Sequence, residues 1–338
     1  RSIFSKPIQA KVEGTNTPAT IKAASLSIGT ITATTNNTQN LILESTATNG
    51  TISTRAIGTA ITKFDSVTYK SSGNIKYTSL DNIQVNSSSL KFISLGNIKI
   101  SGLSYTGNLE LQGQSLSVDT LTLSGELTLN QAVNKPVSLI DISAGAVHFS
   151  TSNKPLPINL KGNIIINGSG DFITPTYSTP SDAAVIELTG ETVIDTTSSS
   201  LNGDITLYDN LTGTQDLTIK NKGVFTLADV SSVNDITSSF AQVKKFSQEG
   251  GGTNSLAGDI NATTTISFSK AVALSGDVQL ISGEVATFNS DISGNHGITV
   301  QGDTVTSGTV KISANSLNAK GKFTNTGNLT NKTTINAD

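Results

Sequence analysis

Between residues 246 and 312 the chain repeats itself at a fixed interval. Ile260, Leu280 and Val300 lie 20 residues apart, as do Phe268 and Phe288, Val272 and Ile292, and Val278 and Ile298; Phe246 to Ile266 and Ile292 to Ile312 extend the register at both ends. Between these anchors apolar residues alternate with small polar ones, as in Val272-Ala273-Leu274 and Val278-Gln279-Leu280. Alternation is the period of a strand, and an interval of 20 residues is too short for a domain of its own. Each unit is therefore expected to be one coil of a stacked all-β solenoid, with about 20 residues per rung.

A single coil of short strands cannot enclose a core. Stacking coils buries one continuous apolar column and pairs each backbone with those before and after it. At about 20 residues per rung, 338 residues give roughly 17 rungs and, at a ~4.8 Å rise, a stack on the order of 80 Å long. Length alone favours two or three domains, but repeat arrays grow in one dimension without a new core. The expectation is a lead-in or cap at 1–20 and one continuous β-helix over 21–338.

Composition agrees with strands whose outer side chains are Ser and Thr. Only 14% of residues are charged and 35% are apolar, rich in Ile, Leu and Val; disordered chains carry more charge and fewer β-branched residues. With no cysteine, disulfides and thiolate metal sites are excluded. A net charge of −3, with 22 Lys and Arg scattered along the chain, argues against a nucleic-acid partner. No apolar run approaches the ~18 residues of a membrane span. The chain lacks Met and begins at Arg1, as expected of a piece of a longer product.

In chain order, Pro7 and Pro18 mark the lead-in, and Ile3, Phe4, Ile8 and Val12 are available to cover a first rung. Strands are expected at Ala24 to Ile28, Leu41 to Leu43, Ile61 to Phe64 and Val67 to Tyr69. A recurrent tripeptide then appears, including Gly73-Asn74-Ile75, Gly107-Asn108-Leu109, Gly125-Glu126-Leu127, Gly203-Asp204-Ile205, Gly258-Asp259-Ile260 and Gly276-Asp277-Val278. Gly permits positive φ at a corner, Asn and Asp bond nearby backbone, and the aliphatic residue turns inward. Steps of 18 residues between these glycines read as single rungs, and stacked Asn side chains are expected to form ladders. Two interruptions stand out. Pro155, Pro157, Pro175 and Pro180 place a loop near 150–183, because proline is excluded from a central ladder. Over 229–254, Val233, Ile236, Phe240, Val243 and Phe246 fit one helical face, but Phe246 also falls in the 20-residue register, and a rung with a loop ending at Gly250-Gly251-Gly252 is the preferred reading over a short helix.

Residues 316–338, with Leu317, Ala319, Gly321, Phe323, Asn325, Gly327 and Leu329 at alternate positions, resemble one repeat of the filamentous-haemagglutinin-like bacterial surface adhesins. Leu256-Ala257-Gly258-Asp259-Ile260 and the Phe-to-Val/Ile elements of 240–312 are similar to looser repeats of the same family. The resemblance implies a right-handed parallel β-helix exported through the outer membrane to the bacterial cell surface or beyond, serving in attachment or as a fibre shaft. An Asn-Pro-Asn-Gly motif like that of the family's secretion domain is absent, so shaft or passenger is the implied role.

An enzyme on this fold needs carboxylates, or a carboxylate with Arg or Lys, converging on one groove. The one carboxylate near a histidine is Asp291, beside His296; His148 is expected to point outward from a strand, and Arg1 and Arg55 are the only arginines. No Asp-Asp pair, nucleophile elbow, phosphate loop or calcium nonapeptide occurs, so no catalytic residue, cofactor or metal is expected. Sequons at Asn36, Asn86, Asn167 and Asn261 are expected by chance in a chain so rich in Asn, Ser and Thr. The expected function is a non-enzymatic adhesin segment whose partner is a host or neighbouring cell surface, glycans included. The second reading is a self-associating lattice or sheath protein, and a carbohydrate-active enzyme ranks below both. Specificity must come from departures from the repeat, and within the proline-bearing segment Asp171, Phe172, Tyr177 and Asp182 are the residue types that stack on a sugar ring or bond its hydroxyls.

Overall fold

The computed structural model describes residues 2–4, 8–10, 18–35, 38–59, 61–78, 84–85, 87–131, 135–149, 157–175, 185–208, 210–228, 241–331 and 334–337. It is a β-solenoid of parallel sheets built from stacked coils of about 20 residues. The chain divides into two compact units, residues 1–150 and 151–338. Among the described residues no helix is long and apolar enough to cross a membrane.

In the first unit, one sheet carries Ser2–Phe4 and Ile8–Ala10 on Leu26–Ala33, followed by Ile52–Ile57 and Gln84–Val85. A second runs from Ala19–Ala23 through Asn40–Ser45, Phe64–Ser71, Ser87–Ser94, Asn108–Gly113 and Glu126–Gln131 to Ala146–Phe149. A third stacks Ile75–Thr78, Ile98–Tyr105, Leu116–Leu123 and Val137–Ala144. The strands of this third sheet change phase midway. Leu116 and Val118 face the core, and so do Leu121 and Leu123; an odd step between the pairs would normally turn the second pair outward, because side chains alternate with period two. Gly102, Thr120 and Asp141 absorb the extra residue with φ of 67°, 54° and 49°. They occupy one position in successive coils, since Ser101 pairs with Asp119 and Leu103 with Leu121, while Asp119 pairs with Ile140 and Leu121 with Ile142. Each coil thus bends without leaving the ladder, as a bulge allows.

In the second unit the 20-residue register is the observed pairing. Ile260 lies on Leu280, Leu280 on Val300, Val278 on Ile298, Phe246 on Ile266, Phe268 on Phe288, Val272 on Ile292 and Ile292 on Ile312. Inward residues form vertical files. Phe268 and Phe288, at most 1% exposed, share one file with ring centroids 5.6 Å apart. Phe246, in the neighbouring file with Ile266, and Phe225, from the other sheet, pack beside them, with centroids 5.4 Å from Phe246 to Phe268 and 5.8 Å from Phe225 to Phe246. Each such ring removes apolar surface worth roughly 1.5–3 kcal/mol, and the identical offset of neighbouring coils lets like residues meet.

Coils of about 20 residues are as expected, but some are longer. Successive pairings are separated by 26 residues from Leu41 to Val67, 33 from Phe172 to Ile205 and 29 from Phe225 to Asn254, so the chain makes about 13 turns rather than roughly 17. The strands that bound these longer intervals still pair in parallel register. Of the strands expected early in the chain, Ile61 to Phe64 is corrected at its start. Ile61 is 84% exposed in a turn closed by the Thr59 hydroxyl, which accepts the N–H groups of Ile61 and Thr62. Within 229–254, Ala241–Val243 and Lys245–Gln248 are strands, as in the rung reading; Val233, Ile236 and Phe240 lie outside the described residues.

The corner tripeptide has a more specific job than expected. The side-chain oxygen of its middle residue accepts the backbone N–H of the equivalent residue one coil on: Asn74 from Asn97, Asn108 from Glu126, Asp204 from Val224 and Asp259 from Gln279. Asp171, Asp277, Asp291 and Asp303 do the same to Asp204, Gly297, Lys311 and Lys322. The expected ladders of stacked Asn side chains give way to this side-chain-to-backbone bond at Asn74 and Asn108. The glycines are needed mainly for proximity. Of those quoted above, Gly107 and Gly203 have φ of +147° and +65°, but a Cβ on Gly125 would lie 2.2 Å from the Asn108 oxygen and one on Gly73 1.8 Å from the Thr48 carbonyl. The 18-residue step from Gly107 to Gly125 is one coil, with Leu109 on Leu127. The equal step from Gly258 to Gly276 is not, because Ile260 pairs with Leu280 and not with Val278.

Candidate functional site

Of the four residues expected at a ligand loop, the described two are part of the stack. Phe172 is 0% exposed and pairs with Ile205, so its ring lies in the core and cannot stack on a sugar. One Asp171 oxygen accepts the Asp204 N–H at 2.8 Å. Phe172–Ile173 is a short strand inside the expected loop, and Pro175 is also buried; residues 176–184 lie outside the described residues. Tyr177 and Asp182 lie outside the described residues.

The histidines meet carboxylates one coil away, not the one nearest in sequence. His296 Nδ1 is 3.6 Å from Asp277, whereas Asp291 caps Lys311; the sequence-adjacent Asp291 and His296 are not brought together. His148 points outward as expected and lies 3.6 Å from Glu126. Both contacts follow from register, since Gly297 succeeds Asp277 and Ala146 pairs with Glu126. Among the described residues no group of three or more His, Asp or Glu is placed to hold a metal.

Charged side chains on the outer face of the first unit's second sheet also pair between coils. Lys22 and Lys70 flank Glu44 at 2.8 and 4.0 Å. The hydrogen bond from Lys22 is the main reason the Glu44 carboxyl is held below its ordinary value. Lys91 lies 2.9 Å from Glu110, which also accepts the Asn130 amide at 2.8 Å.

Beside this cluster, where successive coils turn from the second sheet into the third, lies a groove of about 510 Å³. Leu95, Gln112, Gln114, Asn130 and Gln131 line it, with Ser94 and Gly113. Pairing of Ile93 with Gln112 and of Gln112 with Asn130 places the two amides on consecutive coils. Gly113 faces inward between the two glutamines, where a Cβ would lie 3.0 Å from Cγ1 of the core residue Ile98. Leu95 is 72% exposed on the rim, and Gln112 and Gln114 are exposed. Asn130 donates its amide nitrogen to Glu110, and Gln131 donates to the Lys135 carbonyl. Sequence reasoning missed this groove, because glutamines at alternate positions read as an ordinary outward face.

A second cavity, about 160 Å³, is lined by Ile52, Tyr69, Tyr77, Phe92, Lys76 and Asn74 among others. Its rings already satisfy one another. Tyr69 stacks on Phe92 at 5.0 Å, Tyr77 meets Phe92 edge-on at 5.9 Å, and the Tyr69 hydroxyl is 3.1 Å from that of Thr54. Burial raises the Tyr69 phenol well above its ordinary value and raises that of Tyr105, whose hydroxyl donates to the Ser87 carbonyl at 2.7 Å.

No family model, curated protein or solved structure matches the chain.

Proposed function

We propose that the chain is a non-enzymatic segment of a secreted or surface-anchored bacterial adhesin, acting as fibre shaft or passenger in attachment. The observation that carries this reading is the corner bond. In each unit the same type of oxygen, at the same corner position, caps the next coil, and Asp171, Asp204, Asp259, Asp277, Asp291 and Asp303 are all given to joining coil to coil. Carboxylates given to backbone N–H groups serve persistence of the stack and not proton transfer, which needs a titrating group within reach of a substrate. A wall of Ser and Thr punctuated by neutral or paired side chains suits a support that presents a few binding positions. The resemblance of residues 316–338 to one repeat of the haemagglutinin-like adhesins points the same way.

The test is attachment. Beads coated with the purified chain should adhere to epithelial or bacterial cell layers under flow more strongly than beads coated with an unrelated protein of equal charge. Adhesion no greater than the control, with the β spectrum intact, removes the adhesin reading; concentration-dependent self-assembly in sedimentation would then favour the lattice alternative.

A further inference from the structure

We infer that the groove between Leu95 and Gln131 is a binding site for a neutral, polyhydroxylated chain, an uncharged oligosaccharide, laid along the stacking direction. The inference rests on the adhesin reading for its biological sense and on the groove's chemistry for its ligand. Every polar lining side chain is an amide or a hydroxyl. An amide offers two donors and an acceptor on one planar group, which matches a sugar hydroxyl that both gives and takes a hydrogen bond. None of the lining residues is charged, and Lys91 and Glu110 on the same face are paired at 2.9 Å, so the lining itself offers no ionic partner to a phosphate, a uronate or a basic peptide.

Geometry supplies the direction. Gln112 and Asn130 recur at equivalent positions on consecutive coils, so amides repeat at the ~4.8 Å inter-strand spacing, and a linear polymer running along the stack would meet one per coil. Leu95, 72% exposed, gives the C–H face of a ring an apolar surface at the end of that path. An apolar peptide is less suited, since burying Gln112 and Gln114 against it would leave their amides unpaired.

The test uses the whole chain and cellohexaose, followed by saturation-transfer difference and by shifts of the side-chain amide resonances. Weak binding is expected, with Gln112 and Gln114 amides shifting, and the double variant Gln112→Ala/Gln114→Ala should weaken it about tenfold, equivalent to ~1.4 kcal/mol. Both side chains are exposed, so the variant should keep its β spectrum, and Gln301→Ala in the other unit should change nothing. Binding should persist in high salt, where an ionic ligand would be screened away. Absence of binding in the native chain, or undiminished binding by the double variant, overturns the inference. Cell attachment that survives the double variant while cellohexaose binding is lost leaves the adhesin reading standing and removes the groove from it; loss of both together supports the two readings jointly.

Discussion

The Asp277 carboxylate accepts the backbone N–H of Gly297, one coil further on, at 2.7 Å. At the start of a parallel strand that N–H has no carbonyl opposite it, and an unmet backbone donor is costly wherever water is scarce. The side chain therefore extends the ladder by one bond at the corner, where the backbone has turned away.

Replacing Asp277 with Ala should slacken this corner by about 0.5–1.5 kcal/mol, a value kept low by the 86% exposure of the carboxylate. Replacing it with Asn should change little, because Asn74 and Asn108 do the same work with an amide oxygen. Amide exchange at Gly297 reads the difference directly. Faster exchange in both variants would mean that charge, not the acceptor, is what matters there.

Phe288 is 1% exposed and stacks on Phe268 with ring planes 13° apart. Phe288→Ala should cost about 3–5 kcal/mol, with the second unit unfolding first. Phe288→Leu should cost markedly less, since most of the volume is kept. Equal losses for the two would show that the ring stack, rather than the filled space, stabilises the file.

These inward files were legible from sequence because a fixed coil length converts contact into an interval. Ile260, Leu280 and Val300 announce their contact by recurring. What did not recur was not legible. The 29-residue coil from Phe225 to Asn254 hides its register because its length departs from the 20-residue interval. Phe172 was misread because the prolines flanking it signal a loop, whereas pairing with Ile205 places it inside. The amide groove was invisible for a further reason: Gln112 and Gln114 have the alternation of any outward pair, and the groove forms only where residues of three successive coils meet.

Thr120 sits at φ 54° in a file that begins with Gly102 at 67°. A β-branched residue is a poor occupant of left-handed space, at a cost of roughly 1–2 kcal/mol. Thr120→Gly should therefore stabilise the first unit by up to about 1 kcal/mol, some of the relief being offset by the greater freedom of glycine in the unfolded chain and by loss of the exposed bond to Asp119. Asp141→Gly should gain less, because Asp tolerates this region. Thermal unfolding decides: a lower midpoint for Thr120→Gly would contradict the account of the bend.

Burial disfavours the Tyr69 phenolate, so its folded-state value lies above the ordinary 10.0. A raised value means that the contribution is whole below about pH 10 and is lost as pH rises from there toward the folded value. The first unit should therefore lose β structure in alkali at the same pH at which phenolate absorbance appears. Tyr69→Phe removes the titration and should move that midpoint upward, while costing about 1 kcal/mol at neutral pH for the bond to Thr54. Phenolate appearing without loss of structure would show that the ring is open to water.

Gln248 and Asn254 occupy core positions that other coils give to apolar residues. Gln248 stands between Ile219 and Phe268, and Asn254 between Phe225 and Val272; both are at most 1% exposed. Their amides serve the backbone of three successive corners. Gln248 donates to Asn221 Oδ1 at 2.8 Å and accepts from the Ser269 and Lys270 N–H groups at 3.2 and 3.1 Å. Asn221 in turn donates to the Gly223 and Thr253 carbonyls, and Asn254 to those of Lys270 and Ala271. Gln248→Leu sets two effects against each other. It completes an apolar file, a gain of roughly 1.5–3 kcal/mol, but strands Asn221 Oδ1 and the Lys270 N–H, each at about 1–3 kcal/mol, while the Ser269 N–H keeps the residue 248 carbonyl at 3.1 Å. The polar loss should win, leaving the second unit about 1–3 kcal/mol less stable, with faster amide exchange at Lys270. A Gln248→Leu chain more stable than the native one would mean that water enters the corner and replaces the amide.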